Sequence, residues 1–172
     1  MMSELVQRVR KIPGRPETGL WLHLTATDAA TGAAVLIELM EHGGRLNPPR
    51  SFPVAYFSHD DEACRLELSR WMRSQSDGLD RYTILVAEMH LAKVLDLGDP
   101  DIRKGLGISL AALADPDDMS LSQAIGAAAH QSGFLGVLYP RPLGRGRLNL
   151  AAFCDRTGAE EIMIVGAHPF SF

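Results

Sequence analysis

The chain has 172 residues, enough for one core of ordinary size, and 46% of them are hydrophobic. Lysine and arginine total 17 against 21 acidic residues, a formal charge of -4 with no basic run, which argues against a nucleic-acid ligand. Residues 1–10 mix Glu4, Arg8 and Arg10 and hold no apolar signal core. No stretch reaches the roughly 18 apolar residues of a membrane span, so a cytoplasmic protein without membrane contact is expected. Cys64 and Cys154 stand alone and the histidines lack ligand spacing, so neither disulfide nor metal is expected.

Residues 1–18, broken by Pro13, Gly14 and Pro16, read as an arm before the fold proper, which would occupy 19–172. A first strand is expected over 20–25. A helix over 33–40 would end at the Gly43-Gly44 pair, and the loop over 43–53, with Pro48, Pro49 and Pro53, cannot be helical. A short strand over 54–58 follows. Asp60 is placed to cap a helix running to about residue 74, with Asp61 and Glu62 at the positive end of its dipole.

Two further strands are expected, over 82–89 and 93–97. Asp99-Pro100 should open a short helix closed at Gly105 or Gly107, and Asp115-Pro116 a longer one closed near Gly133. Strands over 134–139, 149–153 and 161–166 complete the reading, with a glycine-rich loop at 143–147. Helices spread unevenly among about six strands predict a single-domain α+β fold with a mixed sheet core and flanking helices.

One carboxylate breaks the helical pattern. With about 100° per residue and Ala63 at zero, Cys64, Leu68, Trp71 and Met72 lie between roughly 80° and 180°, and Glu67 falls near 40°. Glu67 therefore shares the apolar arc, where it needs a cation, hydrogen-bond donors or a polar cleft. A structural ion pair and a site role both fit. Arg45 sits in the rigid proline-glycine loop, where it either faces water or forks onto a carboxylate or phosphate. Tyr56 lies on the strand between that loop and the Glu67 helix, as a core residue or a ring available for stacking. Ser120 opens the Asp115 helix region and shares its surface with Gln123, one turn on.

Taken together, Gly43-Gly44-Arg45-Leu46-Asn47-Pro48-Pro49, Phe52-Pro53-Val54-Ala55-Tyr56 and Glu62-Ala63-Cys64-Arg65-Leu66-Glu67 resemble the RES-domain signature of a GGRxNPP loop, tyrosine strand and glutamate helix. Ser120, the run Gln123-Ala124-Ile125-Gly126 and the strand Gly136-Val137-Leu138-Tyr139-Pro140 extend the resemblance. It implies an ADP-ribosyltransferase-like fold and a toxin of a toxin–antitoxin pair that cleaves the nicotinamide–ribose bond of NAD. NAD would be a substrate, no cofactor would be needed, and phosphate is a possible co-substrate. Glu67 would then be catalytic, with Arg45, Tyr56, Ser120 and His23 binding substrate. The implied partner is a cognate antitoxin of helix-turn-helix type, and a homo-oligomer is possible. The same residues would also suit a protein ADP-ribosyltransferase or an inactive RES-fold binding module.

Two departures from the family pattern stand out. The first strand carries an arginine in the family, whereas this chain has Leu22 and His23 at that place; Arg15, Arg141 or His23 is left to supply the charge. The family's PSAR-like stretch is Pro140-Arg141-Pro142 here, without its serine.

Overall fold

The computed structural model describes residues 2–26, 41–60, 62, 82–141 and 147–169. Its elements are α1 (Met2–Arg10), β1 (Arg15–Ala26), β2 (Val54–Ser58), β3 (Tyr82–Asp96), α2 (Pro100–Leu106), α3 (Leu110–Ala114), α4 (Ser120–Gln131), β4 (Gly136–Pro140), β5 (Leu148–Phe153) and β6 (Ile162–Pro169). The strands run in the order β1-β2-β5-β4-β3-β6, and an additional β1–β3 pairing closes the first five into a barrel. Among the described strands only the β3–β4 pair is parallel; the other pairs are antiparallel. The α+β expectation therefore holds, with the mixed sheet closed on itself, an arrangement that leaves fewer unpaired edges.

β3 explains the closure. The sequence pattern predicts two strands with a gap near residues 90–92, yet one strand runs through. Ala87, Met89 and Leu91 are fully buried, and burial then resumes at Val94 rather than at 93. That slip is a β-bulge: Arg15 pairs with Val94 and Glu17 with Leu91, so three residues of β3 span two of β1. A period break that looks like a strand end in the sequence is thus a bend inside a strand. The first half of β3 carries β6 on its outer side, and its last residues carry β4 there.

Alternation along each strand sorts the side chains into two cores. Trp21, Ala55, Phe57, Ala87, Met89, Leu91, Leu138, Leu150 and Ala152 fill the barrel. Val54, Val137, Tyr139, Ala151 and Phe153 face outward, beneath helices that contribute Val6, Val9, Ile125, Ala128 and Ala129. The expectation that residues 1–18 stand as an arm before the fold, and not as an element of it, is corrected here. Val6 and Val9 stand one helical turn apart and are buried in this outer core, so α1 forms, and β1 begins at Arg15.

Helix starts follow local chemistry. Asp99 accepts from the amides of Asp101 and Ile102, Pro100 opens α2, and Gly107 closes it in the left-handed conformation at φ 70°. The second Asp-Pro pair behaves differently: Asp115 turns its carboxylate onto the amides of Asp117 and Asp118, and α4 begins only at Ser120. α3, which the sequence reading omitted, is capped by Ser109 through the Ala112 amide. Among the described residues no helix is long and apolar enough to cross a membrane, and no group of three acidic, histidine or cysteine side chains could hold a metal ion.

Candidate active site

The loop over 43–53 is organised by one tyrosine. The Tyr56 hydroxyl donates to Asn47 Oδ1 at 2.7 Å and accepts from the Leu46 amide at 2.9 Å, while Asn47 Nδ2 donates to the Phe52 carbonyl at 3.1 Å. Asn47 is fully buried, so these bonds satisfy groups that water cannot reach. A Cβ on Gly44 would lie 2.6 Å from the Tyr56 hydroxyl, which is why the loop needs glycine there. The Tyr56 ring meets Tyr139 edge-on, with centroids 6.5 Å apart.

α4 locks the loop from the other side. Gln123 Nε2 donates to the Gly44 carbonyl at 3.0 Å, and Gly126 sits so close to Leu46 that a Cβ would stand 1.8 Å from the Leu46 carbonyl oxygen. The Gln-Ala-Ile-Gly run is therefore the complement of the Gly-Gly-Arg-Leu-Asn run. Arg45 Nη1 donates to the carbonyls of Leu113 at 2.7 Å and Asp115 at 3.0 Å, tying the loop to the end of α3.

Strand register defines the floor. Leu22 pairs with Ser58, Ser58 with Asn149, and Asn149 with Tyr139, a single row across β1, β2, β5 and β4. Directly paired residues share a face, so this row lies on the outer side with Tyr56. Ser58 and Asn149 are buried polar residues in contact, Ser58 Oγ donating to Asn149 Oδ1 at 3.4 Å. Asp60, Arg141 and Arg147 stand just beyond the row. Arg141 and Arg147 both point Nη1 at Asp60 Oδ2, and Arg147 also approaches Glu62 at 3.6 Å.

Of the residues expected from sequence, Arg45 and Tyr56 are brought together around the loop. Ser120 is exposed at the first turn of α4, where its amide and hydroxyl engage Asp118 and hold that carboxylate below its usual range. The neighbour that reaches the loop is Gln123. His23 lies on the inner side: its ring faces Phe57 at 5.2 Å, and Nδ1 contacts the Tyr56 carbonyl at 2.8 Å. A carbonyl can only accept, so Nδ1 carries the proton. Burial pushes the His23 pKa down despite that bond. Of the two candidate positions for the missing cation, the outward one is therefore Leu22.

Glu67, with most of the helix expected from Asp60 to about residue 74, lies outside the described residues, as do the helix expected over 33–40, Cys64 and most of the loop over 143–147. The other cysteine, Cys154, has its thiol pushed up to about 11 by burial, which makes it a poor nucleophile. Sequence reasoning missed Asn47, Ser58 and Asn149 as site residues; the signal available was a polar residue among apolar neighbours in a segment that the core covers.

Two outcomes follow from this geometry. Tyr56→Phe removes the hydroxyl that joins two buried loop groups and should cost about 1–3 kcal/mol in urea unfolding. Loss within 0.3 kcal/mol, as an order-of-magnitude threshold, would show the hydroxyl to be dispensable. His23, with its folded pKa below the unfolded value of about 6.5, contributes stability that is complete above that pH and is lost as pH falls toward the folded pKa. Wild type should weaken across this acid range, and His23→Gln should flatten the slope measured by pH-dependent unfolding.

Comparison with known proteins agrees with this arrangement. Residues 18–172 match the RES domain family model. The NAD(+) phosphorylases MbcT of Mycobacterium tuberculosis and Mycobacterium bovis are each 32% identical over 127 residues, 71% of this chain and 67% of theirs. The crystal structure of the M. tuberculosis MbcT-MbcA toxin-antitoxin complex contains a similar chain, with a TM-score of 0.81 and 27% identity over 97% of this chain and 92% of that one. The chain belongs to the RES domain family.

Proposed function

We propose that this protein is the toxin of a toxin–antitoxin pair and cleaves the nicotinamide–ribose bond of NAD, with phosphate as the acceptor. The observation that carries the reading is the interlock of the Gly43–Pro53 loop, Tyr56 and the Gln123–Gly126 run over one polar row of the barrel, in a chain 32% identical to enzymes named NAD(+) phosphorylase.

Nicotinamide leaves as a neutral base and takes the bonding electron pair, so positive charge develops on the ribose. Phosphate then forms a bond to the same anomeric carbon, giving ADP-ribose carrying a phosphate there. A carboxylate that faces the developing charge lowers the barrier, and Glu67 is the residue assigned to this role. Tyr56 and Gln123 act by holding the loop, and Arg45 by fixing it to α3. Hydrolysis by water is the competing outcome of the same cleavage, and a target side chain in place of phosphate would make the enzyme a protein ADP-ribosyltransferase.

The partner is a cognate antitoxin, which we place in the helix-turn-helix class and which would cover the cleft; the cytoplasm, where NAD and phosphate are both available, is the site of action. Purified protein incubated with NAD, with and without phosphate, should release nicotinamide, detected by chromatography, and faster with phosphate. Release independent of phosphate would make the enzyme a glycohydrolase, and an intact fold without release would make it a binding module.

A further inference from the structure

The family's first-strand cation is missing, and the register places its vacancy at Leu22, on the row Leu22–Ser58–Asn149–Tyr139. Arg15 cannot fill it. Its guanidinium pairs with Asp96 at 2.7 Å and Glu17 at 2.9 Å, and its strand partner Val94 pairs with Gly136, at the opposite end of β4 from Tyr139. His23 cannot fill it either, because it faces the barrel interior and burial favours its neutral form.

Arg141 remains. It follows Pro140 at the end of β4, two residues beyond Tyr139, and meets Asp60, two residues beyond Ser58, so both lie at the same end of the row. Its side chain is only 7% exposed. A guanidinium carries five N–H donors, and among the described residues the polar side chain it meets is Asp60, at 3.4 Å. That carboxylate is simultaneously taken by Arg147, which is 53% exposed. A structural ion pair would show the reverse pattern, with the close contact going to the buried arginine.

Resting on the proposed activity, we infer that Arg141 is the phosphoryl-binding cation of this protein, standing in for the arginine that β1 lacks. A buried guanidinium that, among the described residues, meets one shared carboxylate at the rim of a polar floor matches a phosphoryl oxyanion, which offers paired acceptor oxygens to its fork. The oxyanion is either the pyrophosphate of NAD or the inorganic phosphate co-substrate. Steady-state kinetics separate these: the Michaelis constant for NAD is measured at saturating phosphate, and that for phosphate at saturating NAD.

Arg141→Gln should raise one of the two constants about tenfold or more, the size expected for loss of a charge-assisted hydrogen bond, with kcat changed much less. Arg141→Lys, which keeps the charge and loses the fork, should recover part of the loss. A rise in the NAD constant alone assigns the pyrophosphate, and a rise in the phosphate constant alone assigns the co-substrate. Both constants within twofold of wild type, or a fall in kcat and thermal midpoint that Lys reverses while both constants hold, would reduce Arg141 to a structural partner of Asp60. If wild type itself releases no nicotinamide, the proposed activity fails before this inference is reached.

Discussion

Gly126→Ala should be the most damaging small substitution outside the chemistry. The added Cβ would stand 1.8 Å from the Leu46 carbonyl oxygen and 2.7 Å from its carbon, and both atoms belong to the backbone of the loop. No rotamer change can relieve such a contact, so α4 and the loop must separate, and they share the outer core through Leu46 and Ile125. Overpacking of this kind costs about 1–3 kcal/mol where a core can adjust and more where it cannot, so about 3 kcal/mol or more is expected. For a chain of this size each kcal/mol moves the thermal midpoint by roughly 2–4 °C, which puts the shift near 10 °C. A midpoint within about 2 °C of wild type would show that the loop and helix are not locked together as described.

Glu67→Gln should have the largest effect on activity, with little on the fold. The substitution keeps the shape of the side chain and removes the charge, so the stabilisation of a cationic ribose proposed for Glu67 would be lost without a change of side-chain size. Removing one such electrostatic contribution typically lowers turnover by about 100- to 1,000-fold. Circular dichroism and thermal unfolding should match wild type, and nicotinamide release should fall to the limit of detection. Near-normal turnover in a folded variant would remove Glu67 from the mechanism.

The parts of the fold that sequence made legible are those governed by local chemistry. Val54–Ser58 matches its strand residue for residue because proline precedes it and the apolar run that follows packs on both faces, Val54 and Tyr56 against one core and Ala55 and Phe57 in the other. Asp99 and Gly107 bound α2 because a capping carboxylate and a left-handed glycine act within one turn. The misreadings share a non-local cause. α1 forms because Val6 and Val9 find the outer core more than a hundred residues later in the chain, and no window of the first eighteen residues contains that partner. β3 reads as two strands because its bulge is set by β1, and closure of the barrel depends on the long pairing of β1 with β3, from Arg15 with Val94 to Ala26 with Tyr82, that no local pattern encodes.

The site shows the same division. Arg45, Tyr56 and the Gln-Ala-Ile-Gly run stand out in the sequence, yet their contacts make them a scaffold for the loop: Arg45 holds carbonyls, the Tyr56 hydroxyl holds Asn47 and Leu46, and Gln123 holds Gly44. Register then decides which side of β1 matters. Leu22 and His23 are adjacent in sequence and lie on opposite faces, and only the pairing of Leu22 with Ser58 tells them apart. Ser120 shows what spacing alone leaves open, since the four residues between Asp115 and α4 set it beside Asp118.

The central claim, that this chain transfers the ADP-ribosyl part of NAD to phosphate, is tested most directly by following the reaction in phosphate buffer with phosphorus NMR. A new phosphomonoester signal should grow in step with free nicotinamide while the pyrophosphate signals keep their total intensity. Unchanged NAD resonances over a stoichiometric amount of folded protein would contradict the account.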